Sequence, residues 1–168
     1  MNSASRKFVH DLIAEGLNLP KSKVIWYMPN APRPAKPYAT LETFAEVREA
    51  QENIRKTNET GIYNVVVPVT QTLRVQLYGT QGTDVCEELN HLARVMETPT
   101  YADKCFANSV AIYNASSVQD LTEVMEQSVD VRASIDFFLR TNSEILDDLS
   151  VIEQVEVEEN IKIDETDI

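Results

Sequence analysis

Four charged residues of both signs recur at even positions near the end of residues 124–140: Asp130, Arg132, Asp136 and Arg140. Two carboxylates on one face of a strand could bind a divalent metal ion and activate water for hydrolysis. Arg132 lies between the two aspartates, however, and Arg140 follows them. The spacing therefore favours cross-strand ion pairs over a metal site.

The other side chains that could do chemistry are few and scattered. His10 and His91 fall on separate predicted helices, and Cys86 and Cys105 are expected to be small apolar residues with free thiols. No His and Cys residues cluster at zinc-ligand spacing. No nucleophile elbow, nucleotide-binding loop or dinucleotide fingerprint is present. The sequence predicts a protein that is not an enzyme and uses no metal or cofactor.

The charged residues belong to a stretch with a period of two. From residue 129 onward the odd positions are apolar: Val129, Val131, Ala133, Ile135, Phe137 and Leu139. This alternation predicts a β-strand whose odd face builds a core and whose even face meets water or a partner. The rest of the chain must cover that sheet.

The remaining elements follow from apolar periodicity and from turn residues. Asp84 with Glu87 resembles a capping box at a helix start, and Pro68 suggests a sheet edge or a bulge within a strand. We predict helices over residues 5–17 and 83–97, strands over 24–28, 38–47, 63–78 and 106–114, a turn or short helix over 142–148, and a possible last strand at Val151, Val155 and Val157.

Two linking segments have distinctive compositions. Residues 29–38 hold four of the seven prolines, which predicts a stiff extended connector; a proline-rich ligand for an aromatic groove is the weaker alternative. Residues 48–60 are almost wholly polar, which predicts the tip of a long hairpin or a mobile loop, with a short surface helix as an alternative. We expect this polar segment to become ordered only on assembly.

These elements together predict an α+β fold. The expected architecture is a mostly antiparallel sheet of four to five strands with two main helices packed on it, and a long hairpin between the first two long strands. We assign residues 1–157 to a single domain and residues 158–168 to an acidic, flexible tail.

Charge is unevenly distributed along the chain. The net charge is −12, and residues 141–168 contribute −9 of it, so the first 140 residues carry only −3. A nearly balanced body with an acidic end disfavours tight binding of nucleic acid, which requires a positive surface. The acidic end is also consistent with a simple solvating tail. No apolar run is long enough to span a membrane.

Three short runs resemble the tail or neck terminator proteins of tailed bacteriophages. The first is N-A-P-R-P at residues 30–34 with P-Y at 37–38, the second is L-Y-G at 77–79, and the third is R-A-S-I-D-F-F at 132–138. Together with a matching order of elements, the resemblance covers about residues 8–157.

The resemblance implies a structural virion protein located in the tail or neck and assembled in the host cytoplasm. Members of that family form a ring, usually of six copies, which sits on the head-proximal end of the tail tube and stops its growth. The implied partners are further copies of the chain, the tail tube protein, a neck or head-completion protein, and a sheath protein if the tail is contractile. DNA would pass through the ring without specific binding.

We expect the ring interface to use charged and aromatic residues on long strands and on the polar hairpin, since complementary charges set the register of subunits. The candidates are Arg33, Tyr38, Arg48, Arg55, Lys56, Arg74, Asp130, Arg132, Asp136 and Arg140. Two other functions stay open. One is another neck ring, such as a head-completion or tail-completion protein, and the other is a small acidic binding or regulatory domain.

Overall fold

Two antiparallel strands of 17 residues each form the centre of the structure, a computed structural model that describes residues 1, 3–48, 53–56, 62–113, 115–126 and 128–148. The helices are α1 (Ser3–Gly16), α2 (Val85–Met96) and α3 (Pro99–Ala107). The strands are β1 (Val24–Trp26), β2 (Tyr38–Arg48), β3 (Asn53–Lys56), β4 (Ile62–Tyr78), β5 (Val110–Tyr113), β6 (Gln119–Asp120), β7 (Glu123–Met125), β8 (Ser128–Asp130) and β9 (Arg132–Asp148).

The main sheet has the strand order β1-β2-β4-β9-β5. β3 adds to β4, and β6 adds to β9, which makes seven strands in all. All pairs are antiparallel except β1 with β2. β7 and β8 form a separate two-stranded hairpin. The predicted α+β class and the mostly antiparallel sheet are confirmed. The sheet has more strands than the four to five expected, because the short strands β3 and β6 also pair with the long strands β4 and β9.

The core lies on one face of this sheet. Odd residues of β4 and β9 oppose each other in register, for example Leu73 with Phe137 and Val75 with Ile135. Apolar side chains of the helices cover them. The predicted odd face of β9 is confirmed from Ala133 to Leu139. The largest fully buried side chains are Phe137, Ile13, Leu41, Leu73, Leu77, Leu89, Leu92, Ile135, Leu139, Val9, Val24 and Val75.

The α2 helix begins as the sequence predicts. The side chain of Asp84 accepts a hydrogen bond of 3.0 Å from the backbone N–H of Glu87, which satisfies one of the free donors of the first turn. Val85, Leu89 and Leu92 form its buried stripe. Both cysteines are free, as expected.

The helix α3 was not anticipated, because residues around Phe106 were predicted to be a strand. Pro99 occupies the start of this helix, where its fixed φ is favourable and its missing N–H costs nothing. Phe106 lies within α3 and is 87% exposed, so its predicted place on a strand face is wrong. The strand begins only at Val110, after Ser109 turns the chain with φ of 53°.

The predicted turn or short helix over residues 142–148 is also wrong. β9 continues to Asp148, because β4 supplies a paired residue at every position down to Ile62. At its other end β9 begins at Arg132, and Val129 belongs to β8. A neighbouring strand of equal length decides the state of residues whose own composition favours a turn.

Part of the polar segment 48–60 is a strand. β3 pairs antiparallel with β4, from Asn53 opposite Val66 to Lys56 opposite Tyr63, so these four residues form neither a loop nor a short helix. Residues 49–52 and 57–61 lie outside the described residues. The predicted last strand at 151–157 and the acidic tail 158–168 lie outside them as well.

The hydrogen bonds of β9 show to which side the backbone groups of each residue in the central strands point. The carbonyls of Arg132 and Asp136 accept hydrogen bonds from Leu121 and Ser116, so even residues of β9 point away from β4. β4 and β9 pair without a register shift. The backbone N–H and C=O groups of odd β4 residues therefore bond to β9, and those of even β4 residues point to the side of β2 and β3.

Pro68 therefore withdraws no hydrogen bond from the β4–β9 ladder. On its other side the β2 pairing ends at Val69 and the β3 pairing begins at Val66. A bulge does occur, but it lies in β2, between Phe44 and Val47, and not at the proline.

Two adjacent phenylalanines provide a test of this arrangement. We expect Phe137→Ala to lower the free energy of unfolding by about 3–5 kcal/mol, because it empties a fully buried site. Phe138→Ala on the opposite face should cost less than about 1 kcal/mol. Denaturant unfolding of both variants measures the difference, and equal losses would contradict the assigned faces.

Candidate assembly surface

The face of the sheet opposite the helices carries most of the predicted interface residues. We call it the outer face: it consists of the even residues of β4 and β9, the even residues of β2 up to Phe44, and the β5 residues aligned with them. Glu42, Arg74 and Asp136 form one row across it, since they are register partners on adjacent strands. Ion pairing across these strands accordingly depends on register rather than on sequence proximity.

Arg74 and Asp136 form a bidentate ion pair. The guanidinium Nε lies 2.8 Å from Oδ1 and Nη2 lies 2.9 Å from Oδ2 of the aspartate. Hydrogen bonding to Asp136 raises the pKa of Arg74 above its ordinary value. The guanidinium also lies 4.8 Å above the centre of the Phe44 ring. The cross-strand ion pair predicted for Asp136 is thus present, with its partner on β4.

Arg33 and Tyr38 meet at one end of the outer face. Tyr38 is the register partner of Tyr78, and their rings stack with centroids 4.5 Å apart and planes 8° apart. The Arg33 guanidinium lies 5.8 Å from the centre of the Tyr78 ring, and the nearby Tyr38 raises the pKa of Arg33 above its ordinary value. Burial raises the pKa of Tyr38. The proline-rich connector is therefore tied to the first residue of β2.

Asp130 and Arg132 have other partners. Lys36 Nζ lies 2.5 Å from Asp130 Oδ1, while Arg132 Nη2 lies 2.5 Å from Glu123 Oε1. Arg132 Nε donates to the Leu121 carbonyl at 3.0 Å and lies 3.9 Å from Asp130 Oδ2.

Asp130 and Asp136, the two possible metal ligands in the sequence, are thus paired with different cations: Asp130 with Lys36 and Asp136 with Arg74. Across the ranges that the structure describes, no group of three or more His, Cys, Asp or Glu residues is arranged to hold a metal ion.

The four remaining candidates are divided between two places. Arg140 is exposed on the outer face, in register with Thr70. Arg48 ends β2, and Arg55 and Lys56 belong to β3. The structure therefore gathers six of the ten candidates on or beside the outer face: Arg33, Tyr38, Arg74, Arg132, Asp136 and Arg140. Asp130 lies on β8, and the basic residues of the polar segment lie on β2 and β3.

A row of exposed apolar side chains crosses the outer face, and the sequence pattern did not predict it. Phe44 and Val47 lie on β2, and Phe138 and Tyr113 lie on the adjacent strands β9 and β5, with Thr72 of β4 between Phe44 and Phe138. The four apolar side chains are 37% to 57% exposed. The rings of Tyr113 and Phe138 are 6.0 Å apart. One signal was available: two consecutive phenylalanines in a strand must point to opposite faces, so one of them had to be on the outer face.

The β2 bulge enlarges this apolar row. Phe44 opposes Thr72 and Val47 opposes Thr70, so β2 uses three steps where β4 uses two. Ala45 adopts φ of 53° within this bulge. The extra residue reverses the alternation, which brings Val47 onto the same face as Phe44. A sequence pattern of period two could not reveal this.

On this face Arg74 and Asp136 neutralise each other, while the apolar row stays in contact with water. Exposed apolar side chains grouped on one face among polar ones are typical of sites of protein–protein contact. The fold and this surface define an α+β protein that works by association with other proteins. Among the described residues, no helix has both the length and the apolar content needed to cross a membrane.

Comparison with known proteins names the family. The model of the phage neck terminator protein family matches residues 3–166, and the chain belongs to this family. It is accordingly a structural protein of the phage tail and neck, associated with other tail and head proteins in the virion. No curated protein matches the chain.

The Lys36–Asp130 pair predicts a measurable titration. The hydrogen bond from Lys36 holds the pKa of Asp130 below its ordinary value of 3.8. Because the folded pKa is the lower one, the pair stabilises the fold above the unfolded pKa. That contribution is lost as the pH falls through the folded pKa.

In Lys36→Met, NMR titration should show the Asp130 pKa rising towards its ordinary value. Asp120 is the control, because its pKa is lowered by hydrogen bonds from Thr122 and should stay unchanged in the same variant. An unmoved Asp130 pKa would contradict the assigned cause.

Proposed function

We propose that the protein forms a closed ring of six copies on the head-proximal end of the phage tail tube, stops tube growth there and joins the tail to the neck. Family membership supplies the location in the neck. The observation that carries the contact itself is the exposed apolar row on the outer face. The ring would assemble in the host cytoplasm before the head and tail join.

The outer face suits binding to a neighbouring virion protein for an energetic reason. Burying an unpaired charge is costly, but Arg74 and Asp136 already satisfy each other across the strands. A partner that covers Phe44, Val47, Tyr113 and Phe138 therefore gains apolar burial and needs to supply few counter-charges. We assign this contact to the tail tube end or to the adjoining head-completion protein, with the sheath protein as a further neighbour if the tail contracts.

The predicted interface residues divide into two roles under this proposal. Arg33, Tyr38, Arg74, Asp130, Arg132 and Asp136 hold the outer face in shape through contacts within the chain. Arg140 lies within that face, in register with Thr70 and Val47. Arg48, Arg55 and Lys56 are proposed to meet the neighbouring subunit. Since the first 140 residues carry a charge of only −3, the ring could let DNA pass without retaining it.

Another neck ring, such as a head-completion or tail-completion protein, remains the second candidate. It would use the same outer face, and the position of the ring in the virion separates the two. A small regulatory domain is disfavoured, since family membership assigns the chain to the neck.

Electron microscopy of the purified protein with growing tail tubes tests the proposal. We expect rings that cap one end of each tube and fix its length, together with a solution mass of several subunits by light scattering. Rings that bind isolated heads or portals and ignore tubes would support the second candidate. A monomer at every concentration, with uncapped tubes, would overturn both.

A matched pair of variants tests the role of the apolar row. Phe138→Ser should abolish capping of tubes while leaving the melting temperature and the ring mass close to those of the wild type, because this side chain is exposed in the subunit. Phe106→Ser removes a still more exposed ring from α3, on the helical side of the sheet. This variant should cap tubes as the wild type does. Normal capping by Phe138→Ser would remove the outer face from the proposal.

A further inference from the structure

Residues 142–148 of β9 present an open strand edge. β5 pairs with β9 only as far as Thr141, and in the part of the chain that the structure describes no strand pairs with that side beyond it. Even residues of β9 direct their backbone groups away from β4, as the hydrogen bonds of Arg132 and Asp136 establish. The N–H and C=O groups of Asn142, Glu144, Leu146 and Asp148 therefore face this edge.

Among the described residues, no strand pairs with the side of β3 that faces away from β4, so β3 presents a second open edge. Even residues of β4 bond towards β2 and β3, so Asn53 and Arg55, which oppose Val66 and Asn64, direct their backbone groups to β4. Ile54 and Lys56 then direct theirs outward. We call this region the arm: it consists of β3, residues 62–68 of β4 and residues 142–148 of β9.

Apolar side chains lie on both faces of the arm. Ile145 is 62% exposed and Leu146 is 72% exposed, and as consecutive residues of a strand they point to opposite faces. A partner docked face-on could cover only one of them. A strand added at the adjacent edge approaches both, so edge pairing fits these residues better.

The two edges carry opposite charge. The sequence of β3, N-I-R-K, contains two bases and no acid, whereas residues 142–148, N-S-E-I-L-D-D, contain three acids and no base. A contact between two β9 edges would bring acid against acid. Residues 149–168, with seven acids and one lysine, would meet the same repulsion if they folded back on β9.

We propose that the β3 edge of one copy pairs with residues 142–148 of β9 in a second copy, so that the arms join head to tail. Both strands are antiparallel to β4 and therefore parallel to each other within a chain. Copies related by rotation about the ring axis keep that relation, so the new pair is parallel. The inference rests on the proposed ring, to which it assigns the strands of the subunit contact, and edge pairing leaves the outer face free for the adjoining protein.

Charge reversal with reciprocal rescue tests the polarity of the contact. Glu144→Lys and Arg55→Glu should each raise the concentration needed for ring formation about tenfold or more, because each places like charges at the contact. An equal mixture of the two variants should restore assembly, since alternating copies make every contact complementary in a ring of even number. The double variant should assemble alone. Glu97→Lys, an exposed reversal after α2, is the matched control and should behave as the wild type.

A backbone substitution tests the strand edge independently of charge. Leu146→Pro removes an outward N–H and no bond to β4, so the subunit should fold and fail to form rings. Leu146→Ala removes the same side chain and keeps the N–H, and it should assemble more readily than the proline variant. Circular dichroism verifies folding, and analytical ultracentrifugation measures assembly.

The outcomes separate the inference from the proposed function. Wild-type rings with equal assembly of the two Leu146 variants, or with no rescue in the mixture, would overturn edge pairing and leave the ring in place. Assembly of a single charge-reversal variant at wild-type concentrations would also overturn it. A wild-type protein that stays monomeric and leaves tubes uncapped would overturn the ring and the edge contact together.

Discussion

The continuous pairing of β4 with β9 is the interaction on which the rest of the structure depends. The two strands oppose each other over 17 residues without a register shift. This register places Leu73, Val75 and Phe137 on the covered face and fixes which backbone groups bond inward. A slip of β9 by one residue against β4 would turn the core row of β9 outward and bury Asp136 on the covered face. Burial on one face thus specifies the pairing, and the pairing positions every other contact.

The two ends of the β4–β9 strand pair have different surroundings. Near Tyr78 and Arg132 the sheet is covered by helices on one side and is pinned by the stacked Tyr38 and Tyr78 on the other. Towards Ile62 and Asp148 the strands continue as the arm, where exposed apolar residues lie on both faces. A strand pair longer than its own core requires is explained if its far end serves assembly, which agrees with membership of the phage neck terminator protein family.

The charged residues near the outer face mainly pair with each other within the chain. The predicted ring residues Arg74, Asp130, Arg132 and Asp136 all have partners within the chain. Such pairs contribute modest stability when they are partly exposed, but they hold the strands in a defined geometry. The apolar row that begins at Phe44 is the area that we propose for contact. Binding through a neutralised apolar face avoids the cost of desolvating free charges, which suits a protein that must join several neighbours.

The sequence by itself determined the local features: the α+β class, the odd core face of β9, the Asp84 cap and the two free cysteines. These depend on periodicity and on interactions between near neighbours, which a linear pattern records. Only the tertiary structure decided that residues 142–148 extend β9, that Asp136 pairs with Arg74, and that the β2 bulge brings Val47 beside Phe44. Each of these requires a strand that lies far away in the chain. The physical reason is that a hydrogen-bonded neighbour supplies the register, and register, unlike period, is a property of two strands together.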